Sequence, residues 1–332
     1  MKAMVQDEYG SPGDVLELRE VDRPEPDAGE VLIRSRAAAV NAGDWHLTRG
    51  IPYAVRAATG LSRPKHAVPG TNVAGEIEAV GHGVGALEPG DEVFGWCHGA
   101  FAEYACAAED HFLLKPDDLS FEQAAAVGDS ATTALNAVRD QARVEPGQEV
   151  LVNGASGGVG TFAVQIAKAF GARVTAVCSA GNAEMVGSIG AERVIDYASE
   201  DFTEGDQRYD ALIDLFGGHS LAACRRVLRP GGTYVLVGRS DPGRWLGISG
   251  LVKTLASSPF TRRRMRAFVS VQNRDDLASL KVMVEAGEID PVIGHVFRLD
   301  EVPQALERQG TGHPGGKIVI AIHGPPPAPA HR

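Results

Sequence analysis

One stretch constrains this chain more than any other: Gly154-Ala155-Ser156-Gly157-Gly158-Val159-Gly160, entered directly from the apolar run Val150–Asn153. Gly154, Gly157 and Gly160 have GxxGxxG spacing, a variant of the GxGxxG turn that binds dinucleotides. Beyond it, Val159, Phe162, Ala163, Ile166, Ala167 and Phe170 recur at helical intervals, and Gly171 is placed to end that helix. A second strand, Arg173–Cys178, follows at once. Strand, glycine turn, helix and strand in so short a span predict a parallel sheet with crossover helices. Residues without a Cβ let the backbone approach a pyrophosphate. The helix start adds unpaired N–H groups and the positive end of its dipole. Gly154, Ser156, Gly157, Gly158, Val159 and Gly160 are therefore candidate cofactor contacts.

The end of the second strand bears on which nucleotide is bound. Readers of NAD usually place Asp or Glu there to hold the ribose hydroxyls. Here the chain reads Cys178-Ser179-Ala180-Gly181-Asn182, and the first acid is Glu184. The missing carboxylate leaves room for a 2′-phosphate, with Ser179 and Asn182 as neutral donors. No Arg or Lys stands beside them, so the expectation is a moderate preference for NADPH over NADH.

Elsewhere the grammar changes along the chain. The first third reads as β-rich, with Val31-Leu32-Ile33 and Glu92-Val93-Phe94 as strands and turns at Pro69-Gly70 and Pro89-Gly90. A helix is predicted over Ala124–Val138. Strands are predicted at Arg193–Ile195, Ala211–Leu215, Thr233–Gly238 and Ala267–Val271. A helix at Arg274–Ala286, a strand at Val292–Arg298, a short helix from Glu301 and a strand at Lys317–Ile322 complete the pattern. The fold class is α/β. A β-rich domain over 1–124 and 273–323 is interrupted by a doubly wound parallel sheet over 125–272, and a proline-rich tail, 324–332, is expected to be disordered.

Composition excludes several partners. With 32 basic and 43 acidic residues the net charge is −11, the wrong sign for nonspecific binding to nucleic acid or an anionic membrane. The run Arg262-Arg263-Arg264-Met265-Arg266 reads as the solvated face of a helix. Four cysteines without a Cys-x-x-Cys pair argue against a structural zinc site and for a reducing compartment. Lacking a signal-peptide pattern or an apolar run of ~20 residues, the chain is expected in the cytoplasm.

Several further stretches carry a family resemblance: Asn41-Ala42-Gly43-Asp44-Trp45, PGTNVAGEIEAVG (Pro69–Gly81), Pro89–Gly95, Ala102-Glu103-Tyr104, Thr133-Ala134, NGASGGVG (Asn153–Gly160), GAERVIDY (Gly190–Tyr197) and the Pro230-Gly231-Gly232 turn. With these the chain resembles the medium-chain dehydrogenase/reductase superfamily, in the zinc-free quinone-oxidoreductase branch that includes zeta-crystallin. The resemblance implies a GroES-like catalytic domain, a Rossmann cofactor domain, an active site in the cleft between them, and a homodimer. It implies that Asn41 sits beside the nicotinamide and Thr133 near the nicotinamide and phosphates. Gly157, Gly158 and Val159 would offer amides to the pyrophosphate, Ser179, Asn182 and Tyr197 would surround the adenosine phosphate, and Gly238 would underlie the nicotinamide. The zinc alcohol dehydrogenases of the superfamily carry a ligand Cys where this chain has Asn41, and Gly-His-Glu where it has Gly70-Thr71-Asn72. No zinc is therefore expected.

Asp44, Trp45, His46 and Tyr53 follow Asn41 and are expected to line the substrate cleft, with Phe94, Trp96 and Trp245 as apolar walls. Asn41, Asp44, His46 and Tyr53 are the candidate catalytic residues. An aromatic pocket suits a quinone or an enone. The function expected is NADPH-dependent reduction of such small electrophiles. The alternatives are an enoyl-thioester or other alkene reductase on the same scaffold, and a non-catalytic nucleotide-binding protein.

Overall fold

The computed structural model describes residues 1–237, 263–312 and 314–322. They divide into two compact units. One holds Met1–Asp129, Gln272–Lys281 and Pro291–Arg332; the other holds Ser130–Val271 and Val282–Asp290.

The first unit is mostly antiparallel sheet. Strands β1 (Lys2–Gln6) and β2 (Leu16–Glu20) form a ribbon. A seven-stranded sheet is built from β3 (Glu30–Val40), β4 (Asn72–Val80), β5 (Glu92–Trp96), β6 (Tyr104–Ala108), β7 (Phe112–Leu114), β14 (Ile293–Arg298) and β15 (Lys317–Ala321). Its order is β14-β15-β3-β4-β5-β7, with β6 also paired to β3. Early in β3, Val31 and Ile33 face the core while Arg34 and Arg36 turn out to Glu76. Ala37, Ala38 and Ala39 are buried in succession, so only small residues fit there. Ile33, Ile77, Val93, Phe101, Phe112 and Leu306 belong to one core.

Three register relations bring the functional residues of this unit together. The β3–β15 ladder sets Val40 opposite Ile318, so Lys317 arrives beside the end of β3. The β3–β4 ladder sets Ala39 opposite Asn72, and β4–β5 sets Asn72 opposite Trp96. The chain leaves β3 at Asn41 and turns into the helix Ala42–Arg49.

The second unit is a six-stranded sheet of β8 (Glu149–Asn153), β9 (Arg173–Cys178), β10 (Arg193–Asp196), β11 (Tyr209–Asp214), β12 (Leu228–Leu236) and β13 (Arg264–Ala267). Every pairing is parallel and the order is β10-β9-β8-β11-β12-β13. Counted within the unit this is 3-2-1-4-5-6, the doubly wound order, which reverses between β8 and β11. Val150–Val152 and Ala211–Ile213 are wholly buried, as strands covered on both faces require.

Some expectations need correction. The sixth strand is Arg264–Ala267, not Ala267–Val271; Met265 is buried between exposed Arg264 and Arg266. That period of two makes the basic run a strand, not a helix face. The helix expected over Ala124–Val138 starts at Phe121 and gives way to a wider π-helical stretch at Asn136–Ala142. Gly238, Trp245, Arg262 and the tail 324–332 lie outside the described residues.

Candidate functional site

In the first unit a buried polar cluster forms around Asn41. Asp44, at the third position of the Ala42–Arg49 helix, returns its Oδ2 to the Asn41 N–H at 2.8 Å, half of a capping box. The Asn41 side chain runs the other way. Its Nδ2 donates to Asn72 Oδ1 at 2.7 Å and to Thr71 Oγ1 at 3.3 Å. Its Oδ1 accepts from Lys317 Nζ at 2.7 Å, and Lys317 also donates to the Val40 carbonyl at 3.0 Å. Asn72 Oδ1 further accepts from the Asp129 N–H and from Gln272 Nε2. Thr71 Oγ1 lies 3.4 Å from Asp44 Oδ1.

The cluster is out of water, and its titration reflects that. Burial pushes the Asp44 carboxyl up to about 7, against the pull of the Asn41 N–H; Asp129 adds to the rise. Asp129 is raised by burial as well, with Lys317 opposing. Burial brings the Lys317 ammonium down to about 8, although both carboxylates favour its charge.

A kink admits the last member. The helix Phe121–Leu135 departs from helical geometry at Gly128. A Cβ there would overlap the Asn72 amide, so only glycine lets this helix reach Asn72 and aim the Asp129 N–H at it.

In the second unit the glycine turn leaves β8 at the point where the strand order reverses. Gly154 has φ +85°, a left-handed conformation that glycine adopts freely. A Cβ at Gly160 would strike the Gly154 and Ala155 backbone, so this glycine seats the helix Gly158–Ala169 against the turn. No side chain caps that helix at Gly157, and its first N–H groups have no partner within the helix. Beside it, Asn182 Nδ2 donates to Ser156 Oγ at 3.2 Å and Ser179 Oγ at 3.0 Å. Both serines, accepting from the amide, keep their O–H groups to donate. The Tyr197 N–H bonds the Cys178 carbonyl, which sets its exposed ring at the same strand end. This turn fits the phosphates of a dinucleotide. Asp214, not anticipated, is wholly buried and pins the turn by accepting from Asn153 Nδ2, the Gly217 N–H and the Tyr234 hydroxyl.

The structure thus joins Asn41 to Asp44 and Thr71, and Ser156 to Ser179 and Asn182. His46 donates from Nδ1 to the Ile51 carbonyl at 3.1 Å; burial holds its pKa below the usual value, so the ring is neutral. Tyr53 sits under the Arg56 guanidinium, 4.9 Å from its ring centroid. Trp45, expected as a cleft wall, packs under Arg49 and against Gly310. Phe94 is wholly buried in the core, and Trp96 stacks on His111. Thr133 is half-buried in the second unit's part of the kinked helix. Sequence reasoning missed Asn72 and Lys317 as the groups that hold Asn41, and Asp129, whose N–H holds Asn72.

A parallel sheet in doubly wound order with a glycine turn at its switch point defines a nucleotide-binding unit, in a chain that also holds an antiparallel β unit. Comparison with known proteins takes the assignment further. Residues 27–117 match the alcohol dehydrogenase GroES-like domain and 189–320 the zinc-binding dehydrogenase family. The chain is 34% identical to 2-methylene-furan-3-one reductase of Solanum lycopersicum, covering 96% of this chain and 79% of that protein. It is 32% identical to the quinone oxidoreductase of Homo sapiens, over 96% and 98% respectively. The solved quinone oxidoreductase of Coxiella burnetii superimposes with TM-score 0.84 at 31% identity, covering 97% of this chain and 99% of that one. The chain belongs to the medium-chain dehydrogenase/reductase superfamily, in its quinone-oxidoreductase branch.

One family description names zinc, and the donors present do not fit that ion. Asn41 Oδ1 already accepts from an ammonium, and Thr71 and Asn72 are neutral. No group of three or more His, Cys, Asp or Glu side chains among the described residues is placed to hold a metal ion. Among the described residues no helix is long and apolar enough to cross a membrane.

Proposed function

We propose that this protein is a zinc-independent, NADPH-preferring oxidoreductase that reduces quinones or α,β-unsaturated carbonyls. The observation that carries the reading is the buried Asn41 amide, held at its two ends by Lys317 and Asn72 where zinc-dependent members carry a metal ligand. Two amides, a hydroxyl and an ammonium are a poor donor set for the Lewis acid that a simple ketone needs. A conjugated carbonyl or a quinone needs less help, because the incoming charge spreads onto oxygen as an enolate or hydroquinone anion. The activities by which the tomato and human relatives are named support the same class.

NADPH, when bound, supplies the hydride. The chain's own part is alignment, which contributes ~7–11 kcal/mol in favourable cases. Asn41 would hold the nicotinamide end, and Gly238 is assigned to it by the family resemblance alone. Thr133 and the Gly157, Gly158 and Val159 amides hold the phosphates, while Ser179, Asn182 and Tyr197 hold the adenosine end. Asp44 would supply the closing proton, since its buried carboxyl keeps a proton up to about 7. Neutral His46, committed to Ile51 through Nδ1, has no proton to give from Nε2.

The reading includes a homodimer in the cytoplasm. In support, β13 ends its sheet among the described residues, with Val269 and Val271 exposed just beyond it. All four cysteines are free thiols, which suits a reducing compartment.

The test uses protein dialysed against a chelator. NADPH consumption is followed with an ortho-quinone and an enone, and NADP⁺ reduction with simple alcohols. Turnover with the first two, unchanged by the chelator, is expected. Efficient alcohol oxidation that the chelator abolishes, with quinones and enones untouched, would overturn the reading.

A further inference from the structure

The Lys317 side chain is an expensive feature for a strand to carry. The residue is 2% exposed, and a buried ammonium is tolerated only when paired and hydrogen-bonded. An apolar residue would fill the start of β15 without that penalty, since buried ion pairs are often replaced by hydrophobic groups at no loss of stability. What an apolar residue cannot supply is the bond to Asn41.

An Asn amide has two nearly isosteric ends, and its neighbours decide which points where. Lys317 only donates, so it selects Oδ1 at its end of Asn41. At the other end Asn72 Oδ1, fixed by the Asp129 N–H and Gln272 Nε2, accepts and so selects Nδ2. Both choices agree, and the amide has one orientation. Asp129 on the kinked helix faces the ammonium and balances it, and Asp44 on the Ala42–Arg49 helix adds to that balance once it is ionised. On the neighbouring strand β14, His295 pairs with Arg308 instead.

We propose that Lys317 is a positioning residue for Asn41: its buried ammonium fixes the amide that meets the nicotinamide end, and it is a covalently attached cation in place of the metal that zinc-dependent members hold beside this position. The inference rests on the function proposed above.

The test compares Lys317→Met, Lys317→Arg and the charge-balanced double variant Lys317→Met/Asp129→Asn with the unaltered protein. Calorimetric titration gives affinities for NADPH and for adenosine 2′,5′-bisphosphate, which probes the adenine end alone. Thermal melting reports the fold, and ortho-quinone reduction gives kcat and KM. If Lys317 positions Asn41, Lys317→Met lowers kcat roughly tenfold or more and weakens NADPH while leaving the bisphosphate unchanged. Arg then recovers more activity than Met, and the double variant regains its melting temperature without regaining kcat. Should Lys317→Met fail to fold, the double variant is read in its place.

The proposal fails if a folded Met or double variant binds NADPH and turns over as the parent does. It fails equally if NADPH and the bisphosphate weaken together, or if Arg is no better than Met. An unaltered protein that binds NADPH but reduces no electrophile would defeat the proposed function alone. The ratio of the two affinities would still decide the role of Lys317.

Discussion

Gly181 is where one side chain decides the most about the cofactor. It lies in the turn after β9, exposed, with a left-handed φ not required of it and nothing within 4 Å of where a Cβ would stand. A substitution there changes charge without changing the fold. Aspartate would stand beside the Ser156, Ser179 and Asn182 oxygens that hold the adenosine phosphate in our reading, and would repel a 2′-phosphate while accepting from ribose hydroxyls. Gly181→Asp should therefore reverse the preference from NADPH to NADH, moving the affinity ratio by about tenfold or more. Gly181→Arg should strengthen NADPH binding. Titrating both nucleotides against the three proteins checks this; an unmoved ratio would place the phosphate elsewhere.

At the scale of elements, legibility followed sequence distance. The glycine turn, its helix and the strand Arg173–Cys178 were readable because the motif and its apolar period lie within one local stretch. Asp44 was readable because it follows Asn41 by one helical step. Lys317 was not: the β3–β15 ladder brings it to Asn41 across 276 residues, and a lysine opening a strand otherwise signals only a charged edge. Asn72 was quoted only as a replaced metal ligand, and the kink that delivers Asp129 leaves no periodic trace because Gly128 sits within an ordinary helical composition. That kink yields its own prediction. Gly128→Ala forces the new methyl against the Asn72 amide, so the helix must withdraw or Asn72 must yield. A loss of ~1–3 kcal/mol is expected from overpacking, read by urea unfolding. NADPH affinity should fall with it, since Asn41 loses a firm acceptor for Nδ2. A variant as stable as the parent would mean that the helix does not approach Asn72 this closely.

For the whole molecule, the buried trio leaves a mark on the pH dependence of stability. Asp44 keeps its proton up to about 7 when folded, whereas in the unfolded chain a carboxyl of this kind ionises near about 4. Between those values the unfolded chain has released a proton that the folded chain retains. Stability therefore falls as pH rises through this window, by about 1.4 kcal/mol per pH unit for Asp44 alone, and Asp129 is raised in the same direction. Lys317 acts on the alkaline side. Its ammonium loses its proton at about 8 when folded, against about 10.4 unfolded, so its contribution recovers as pH rises between the two. The trio is thus most costly to the fold between about pH 7 and about pH 8. Surface carboxylates such as Glu109 and Asp201, lowered by backbone hydrogen bonds, change charge below the start of Asp44's window and leave most of it clear. Partly buried histidines such as His46, held below their usual value, act with the opposite sign within it. Comparison with Asp44→Asn separates the two. The amide keeps an acceptor for the Asn41 N–H but does not titrate, so the difference in melting temperature between variant and parent should grow steadily in the variant's favour from about pH 5 to about pH 7. A difference that stays constant across that range would mean that Asp44 is already ionised in the folded protein, and that the proton we assign to it must come from another group.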